Sequence, residues 1–287
     1  MKKVVDDFKT KKDLRESTIK NYMRSLKVAN CNQEFTSLAF LNKKKQVDKC
    51  IDEYKEASRK TVLTAICSVL KMYEKETLHK YYYDKLMSYQ TPVTNDKSEA
   101  QKENWLEWSE VLKIKDELAK KSDTKENRLK RMVVALYTEI EPRRSLDYIA
   151  MHVVPKIKVD LSTDKNYIAL KENVFVFNRY KTDKSYGRQI VEIPTKLRSS
   201  IDEYLAQHPL KEQKDYPFLI NAQNQPFKGS NSITMMLNRI FKRKISSSML
   251  RHIFLTNKFG DDLKERQKVA EKMGHSVSQQ ADYIKFD

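Results

Sequence analysis

The chain has 287 residues, of which 39% are hydrophobic and 33% charged, and its 56 Lys and Arg residues against 39 Asp and Glu give a formal net charge of +17. This length suits two domains of ordinary size, and the charge favours a polyanionic partner because basic side chains on phosphates release counterions; a solvated, soluble surface is the alternative. We expect no transmembrane segment or signal peptide, since no long apolar run or charged-then-apolar leader occurs, and four glycines are too few for a Gly-rich nucleotide loop.

The cysteines Cys31, Cys50 and Cys67 are odd in number and widely spaced. This pattern favours reduced thiols in an intracellular protein that is not secreted, and neither a disulfide framework nor a zinc site is expected. The five histidines show no ligand spacing, so the sequence predicts no metal and no cofactor.

Apolar residues at helical spacing fill the first ninety residues. One helix is predicted to begin at Ser17 as N-cap, and further patterns cover 38–51, 58–73 and 78–89. Their apolar stripes are expected to form a core, whereas the outer faces either contact DNA backbone or are merely solvated. The basic residues on these outer faces are Lys20, Arg24, Lys27, Arg59 and Lys60.

A polar stretch without apolar period, with Pro92 near its start, predicts a linker at 91–103. It would separate a helical domain at 1–90 from a larger domain at 104–287. Ser109 is the predicted N-cap of the next helix, and another helical pattern covers 126–139.

The only convincing β-pattern follows, with strands predicted at 167–170, 174–177 and 189–193. A basic hairpin turn lies between the last two strands. Helical patterns return at 197–205 and 233–240, separated by a segment that resembles a linker. The predicted fold class is therefore mainly α with a small β-sheet (α+β).

Several polar residues could together cleave a phosphodiester without a metal. Arginines can bind the non-bridging oxygens, where charge develops, a tyrosine hydroxyl can act as nucleophile, and a lysine can protonate the leaving oxygen. Each residue alone has a simpler explanation: a helix cap, an ion pair, a solvated turn or packing. The candidates are Arg143 or Arg144, Lys181, Arg251, His275 and Tyr283.

The sequence motifs around these candidates resemble those of the tyrosine recombinase (phage-integrase type) family. L-R-H-I-F-L-T at 250–256 is similar to the second-arginine motif, and M-G-H-S at 273–276 with Y-I-K at 283–285 to the G-H-S…Y ending. K-T-D-K beginning at Lys181 resembles the β-hairpin motif, and P-R-R-S-L-D-Y-I-A-M at 142–151 the first-arginine motif. The P-R-R and Y-K-T-x-K-x-Y-G motifs are most similar to those in integrases of large DNA viruses and virophages, a group associated with mobile elements.

The resemblance implies a core-binding domain at 1–90 and a catalytic domain at 104–287 that clamp double-stranded DNA like a C. It implies strand exchange through a 3′-phosphotyrosyl intermediate by a homotetramer on two DNA sites, without cofactor, metal or membrane, in the host nucleus or cytoplasm. Placing Asp147 at the acidic position makes Arg144 the catalytic arginine, with Arg143 as the alternative. The implied catalytic residues are Arg144, Lys181, Ser248, Arg251, His275 and Tyr283.

Three departures separate the chain from the family pattern. Ser248 replaces the usual histidine, and a serine hydroxyl can donate to phosphate but cannot be cationic, so His275 and Lys181 are expected to carry more of the proton transfer. The spacing from His275 to Tyr283 is slightly compressed. The sequence stops four residues after Tyr283, so subunits are expected to assemble through other surfaces, unless the sequence is a shortened form.

Two alternative functions remain open from the sequence. One is a topoisomerase of the same chemistry, in which the cut strand rejoins itself. The other is a DNA-binding protein whose catalysis decayed when Ser248 replaced the histidine, although the presence of Tyr283 argues against decay, since phosphate binding alone does not demand it.

Overall fold

The protein is described here from a computed structural model, which covers residues 2–89, 95–158, 160–227, 229–274 and 276–283, with side chains up to residue 280. It divides into two compact units, 1–95 and 96–287. The division lies within the predicted linker at 91–103.

The first unit is helical throughout its described residues. Its apolar stripes meet in one core that includes Leu26, Leu63 and Ile66, each fully shielded from solvent, and burying such a side chain contributes about 2 kcal/mol. The helix predicted to have Ser17 as its N-cap begins two residues earlier, with Arg15 in the N-cap position. The helices are α1 (Lys2–Thr10), α2 (Glu16–Ala29), a 3-10 turn (Leu38–Asn42), α3 (Lys44–Asp52), α4 (Glu56–Met72) and α5 (Glu76–Ser88).

A disulfide joins Cys31 to Cys50, so the prediction that these cysteines are reduced thiols is wrong for this pair. Cys31 and Asn32 both have positive φ, 51° and 62°, which turns the chain sharply after α2. The turn brings the Cα atoms of the two cysteines to 5.0 Å, although 19 residues separate them in sequence. Cys67 is free and buried in α4, as predicted.

Helix α6 (Glu99–Asn104) begins inside the predicted linker at 91–103 and ends one residue beyond it. Ser98 caps this helix: its hydroxyl accepts a hydrogen bond from the Gln101 backbone, while the Gln101 side chain accepts one from Ser98 N. The Asn104 side chain then accepts a hydrogen bond from Lys244 N, which fixes α6 to the rest of the second unit.

The second unit packs helices around a small mixed sheet. Helix α7 begins at Trp108 with Glu107 as N-cap, not at the predicted Ser109, and the Trp108 ring meets Phe254 edge-on. The remaining helices are α7 (Trp108–Ala119), α8 (Lys125–Thr138), α9 (Ser145–Ile149), α10 (Asp183–Tyr186), α11 (Thr195–Ala206), α12 (Asn231–Phe241), α13 (Ser247–Met273) and α14 (Val277–Tyr283).

The described sheet has five strands in the order β4-β3-β2-β1-β5, in which β1 and β2 are parallel and the other neighbours antiparallel. Three predicted strands are present, each within one residue of its predicted bounds, and the predicted fold class of mainly α with a small sheet is confirmed. The strands are β1 (Met151–Val154), β2 (Asn166–Ala169), β3 (Val174–Phe177), β4 (Gln189–Glu192) and β5 (Tyr216–Pro217).

Two strands were not predicted. β1 follows α9 after one residue, so no turn signal precedes it. β5 lies in the segment that resembled a linker, but this segment is buried at Phe218 and Leu219, and it pairs with β1 at the edge of the sheet.

Candidate functional site

Two adjacent arginines follow α8 and precede α9, and they have different surroundings. Arg143 Nε donates to Asp147 Oδ2 at 3.0 Å, and its Nη1 donates to Gln189 Oε1 on β4, also at 3.0 Å. The Arg143 guanidinium carbon also lies 3.8 Å from the centre of the Phe177 ring, a cation–π geometry. Arg144 occupies the N-cap position of α9 and is partly exposed, and no hydrogen bond or ion pair of its side chain is found among the described residues.

Asp147 lies at the centre of the positive charge. It is 2% exposed, and its second carboxylate oxygen, Oδ1, has no hydrogen-bond partner within the described part of the chain. Burial raises the pKa of this carboxyl above its ordinary value, and the positive charges of Arg143, Arg144 and Arg251 act in the opposite direction. Three guanidiniums therefore surround one carboxylate, which leaves the cluster net positive.

Arg251 reaches this cluster from another element, the second turn of α13. Ser246 caps the helix through its hydroxyl, which accepts a hydrogen bond from Met249 N at 3.2 Å. Leu250 and Ile253 are buried in the core, which fixes the rotation of the helix and leaves Arg251 partly exposed. Desolvation lowers the pKa of the Arg251 guanidinium, as does its neighbour Arg144. The two arginines therefore lie close enough to repel each other.

A buried hydroxyl connects the two arginine-bearing elements. The Tyr137 hydroxyl in α8 lies within hydrogen-bond distance of Ser145, next to Arg144, and the Ser247 side chain, at the start of α13, is near enough to lower the pKa of the phenol. Burial of Tyr137 has the larger effect and raises the pKa of the phenol to about 12, so the hydroxyl stays neutral. The neighbouring Ser248, which replaces the histidine of the family pattern, is exposed on the first turn of α13.

Lys181 lies in the connection between β3 and β4, which contains one helical turn, α10, and is thus more structured than the predicted hairpin turn. The Tyr180 hydroxyl donates to Gly187 O at 2.6 Å and closes the connection at its base. Gly187 has φ of 65°, which strains other residues. Lys181 is exposed, and its neighbour Tyr180 presents its ring 5.3 Å from the Arg143 guanidinium carbon. The lysine connection therefore adjoins the arginine cluster.

The remaining two predicted residues cannot be placed against the cluster. His275 lies outside the described residues. Tyr283 is the last residue of α14, and its side chain lies outside the described part. The structure thus brings Arg144 and Arg251 together, places Lys181 next to an aromatic neighbour of Arg143, and leaves the roles of His275 and Tyr283 as predictions.

Some contributors to the cluster were missed at the sequence level. Phe177 and Gln189 hold Arg143, Tyr137 links the arginine elements, and Asn166 binds backbone on both sides of the site. Each lies in a segment whose sequence indicates a strand or helix but contains no recognisable functional motif. The signal that could have found Asn166 is a polar residue at the first position of a strand whose other residues are buried.

The arrangement is suited to binding a phosphodiester. A partly exposed pair of arginines provides several N–H donors for non-bridging oxygens, and partial desolvation strengthens those bonds. Among the described residues, no group of three or more His, Cys, Asp or Glu is placed to hold a metal ion. Within the same residues, no helix is both long enough and apolar enough to cross a membrane.

Comparisons with known proteins found distant similarity to solved structures. No family model and no curated protein matches the chain. Among solved structures, the chain is similar to a crystal structure of the XerA recombinase, with a TM-score of 0.39 and 15% identity, over 100% of this chain and 94% of the other. A similarity this distant does not establish activity in this chain.

Proposed function

We propose that this protein is a site-specific tyrosine recombinase, or integrase, that cuts and rejoins double-stranded DNA through a 3′-phosphotyrosyl intermediate. The observation that carries the proposal is the convergence of Arg144 and Arg251, from two separate elements, beside one buried carboxylate. Both arginines remain partly exposed, as a phosphate ligand requires.

The geometry favours Arg144 over Arg143 as the phosphate ligand. The Arg143 guanidinium is already committed to Asp147, Gln189 and the Phe177 ring. Arg144 has its donors available for a ligand. In this proposal Arg144 and Arg251 bind the non-bridging oxygens, assisted by Ser248 and His275.

The proposed reaction proceeds in two transesterifications. Tyr283 Oη attacks the scissile phosphorus as its proton passes to His275; the bond from phosphorus to the 5′-oxygen breaks, and Lys181 donates a proton to that oxygen. The 5′-hydroxyl of a partner strand then attacks the phosphotyrosine and gives its proton to Lys181. The bond between phosphorus and Tyr283 Oη breaks, and Tyr283 takes its proton back from His275. The number of phosphodiester bonds is conserved, so the reaction needs no energy input.

The assembly and the domain roles belong to the same proposal. The helical domain predicted at 1–90 would bind DNA through its basic helix faces, and the domain predicted at 104–287 would carry the chemistry. The net charge of +17 supports a polyanionic partner, with affinity that falls steeply as salt rises. Four subunits on two DNA sites, acting inside the cell in a viral or mobile-element context, complete the proposal.

The test is a covalent trap. Wild type and Tyr283→Phe are incubated with a pool of duplexes that carry a nick beside a randomised core, and adducts that resist denaturing detergent are collected. Wild type is expected to form adducts, and mass spectrometry after nuclease digestion should place the nucleotide on Tyr283. The recovered DNA then supplies the target for later experiments.

The possible outcomes separate the alternatives. DNA retardation without an adduct from wild type would contradict catalysis and leave a DNA-binding protein. An adduct from Tyr283→Phe would show that the nucleophile is another residue. Relaxation of a supercoiled plasmid by monomers, without recombinant products, would identify a topoisomerase of the same chemistry.

A further inference from the structure

Asn166, the first residue of β2, uses its entire hydrogen-bonding capacity at the boundary between two parts of the site. Its Nδ2 donates to Asp147 O at 2.8 Å and to Arg179 O at 2.9 Å. Its Oδ1 accepts from Asn178 N at 2.9 Å and from Arg179 N at 2.8 Å. A primary amide offers two N–H donors and two acceptor lone pairs, so all four positions are filled.

The four bonds connect segments that the backbone ladder does not connect. Asp147 belongs to α9, three residues after Arg144. Asn178 and Arg179 are the first two residues after β3, where the chain leaves the sheet toward Lys181. Asn166 is 2% exposed, so water cannot replace these bonds if the amide is removed.

We propose that Asn166 is a positioning residue that holds the Lys181 connection at a fixed place relative to Arg144. This inference rests on the proposed function for the role of Lys181, whereas the structural clamp itself does not. A general acid acts only within hydrogen-bond reach of the leaving oxygen, and Lys181 comes two residues after the clamped Arg179. Clamping the backbone there limits where the ammonium can reach.

A second hydrogen bond also anchors the start of the Lys181 connection to β2. The Asn178 side chain donates to Lys165 O at 2.8 Å, and its backbone N–H donates to the Asn166 side chain. Both the backbone and the side chain of Asn178 are therefore bonded to the start of β2. Arg143 also touches both parts, through Asp147 and the Tyr180 ring. The connection is therefore anchored at its entry, while Lys181 itself stays exposed.

The test uses Asn166→Asp, which keeps the acceptor but removes both N–H donors. The matched control is Asn173→Asp in the turn before β3, where the Nδ2 group donates to Ile193 O at 2.8 Å, at the opposite end of the β2–β3 pair from Asn166. Asn166→Asp is expected to slow adduct formation on the recovered target by about 10- to 100-fold, the effect of misplacing a reacting group. Asn173→Asp is expected to retain the wild-type rate.

A sulfur-substituted DNA separates positioning from general damage. In a 5′-bridging phosphorothiolate, sulfur replaces the leaving oxygen and departs without needing a proton from Lys181. Asn166→Asp should regain nearly the wild-type rate on this DNA, as should Lys181→Ala, whereas Arg144→Ala should not. A defect of Asn166→Asp that persists with sulfur, or a rate equal to that of Asn173→Asp on ordinary DNA, would overturn the inference.

Amide hydrogen exchange tests the clamp without DNA. In wild type the amides of Asn178 and Arg179 should exchange slowly, because both donate to the Asn166 side chain. Fast exchange there in folded wild type refutes the clamp, even if Asn166→Asp fails to fold. Absence of an adduct from wild type, with slow exchange intact, refutes the proposed function and with it the role assigned to Asn166.

Discussion

The Tyr137 hydroxyl lies 3.2 Å from Ser145 Oγ in the core of the second unit. The Ser247 side chain lies near the same hydroxyl and lowers the pKa of the phenol. Ser145 adjoins Arg144, and Ser247 precedes Arg251 by one helical turn, so one buried phenol connects the elements that carry both arginines. The spacing of the two guanidiniums therefore depends on a contact that neither arginine makes.

Tyr137→Phe removes this connection without changing the ring. We expect the free energy of unfolding to fall by about 1–2 kcal/mol, because the buried Ser145 hydroxyl loses its partner. We also expect adduct formation to slow by roughly tenfold, because the arginines lose their fixed spacing. Urea unfolding and the rate of covalent trapping measure the two effects.

Tyr204→Phe is the matched control for that variant. Tyr204 is also buried, and its hydroxyl accepts a hydrogen bond from Ile220 N at 3.5 Å, away from both arginines. It should reduce stability with the rate of trapping unchanged. Equal slowing by Tyr137→Phe and Tyr204→Phe would show that the Tyr137 bridge has no specific role.

Replacing Arg144 should mainly slow the reaction, whereas replacing Arg143 should mainly lower the stability of the fold. Arg144→Ala should slow trapping by about 10²- to 10³-fold, the usual effect of losing an oxyanion donor, with stability changed by less than about 0.5 kcal/mol. Arg143→Ala should lower the free energy of unfolding by about 3 kcal/mol, because it leaves the buried Asp147 carboxylate without its ion-pair partner.

Arg239→Ala, on the exposed face of α12, serves as the control for losing one positive charge. Arg239→Ala should slow trapping less than Arg144→Ala and lower the free energy of unfolding less than Arg143→Ala. If Arg143→Ala instead proves stable and inactive while Arg144→Ala cleaves DNA normally, the phosphate ligand is Arg143.

Most of the long helices and three strands could be predicted because their periodicity is local, but the short helix α6 and the contacts between distant residues could not. Arg143 and Arg144 are equivalent in sequence; they differ only because Gln189, 46 residues later, and Phe177 fold against Arg143. The Cys31–Cys50 bond likewise depends on a turn with two left-handed residues, which no spacing rule indicates. The different surroundings of the two arginines and the pairing of the cysteines therefore depend on contacts between residues far apart in sequence, which local patterns do not contain.

A buried ion pair away from the site gives a test of the packing of α7 against α8. Lys115 Nζ lies 2.7 Å from Glu139 Oε1, and Ser200 Oγ donates to Glu139 Oε2 at 2.9 Å. Lys115→Met should lower the free energy of unfolding by about 2–3 kcal/mol, because the Glu139 side chain, only 4% exposed, keeps its charge without the partner. Adding Glu139→Gln should restore most of the loss in urea unfolding.

The exposed pair Lys102 and Glu99, also 2.7 Å apart, is the control. Lys102→Met should change stability little, because water and salt screen an exposed pair. A double variant at positions 115 and 139 no more stable than Lys115→Met alone would show that the loss comes from repacking and not from the stranded carboxylate.

His208 should make the second unit less stable in mild acid. It is 3% exposed, and burial, with a smaller contribution from Lys125, lowers the pKa of its imidazole below the ordinary value. The unfolded chain therefore takes up a proton near pH 6.5, about the ordinary histidine pKa, while the folded protein does not, so stability is present above that pH and falls as the pH drops toward the folded pKa.

His208→Asn removes the titrating group and keeps an acceptor where Nδ1 accepts from Leu210 N at 3.2 Å. The midpoint of thermal unfolding should then depend less on pH across this range than in wild type. His252→Asn, at an exposed position of α13, should keep the wild-type dependence. If His208→Asn retains the full pH dependence, its protonation does not control the acid sensitivity, and carboxylates that lose ion pairs are the cause.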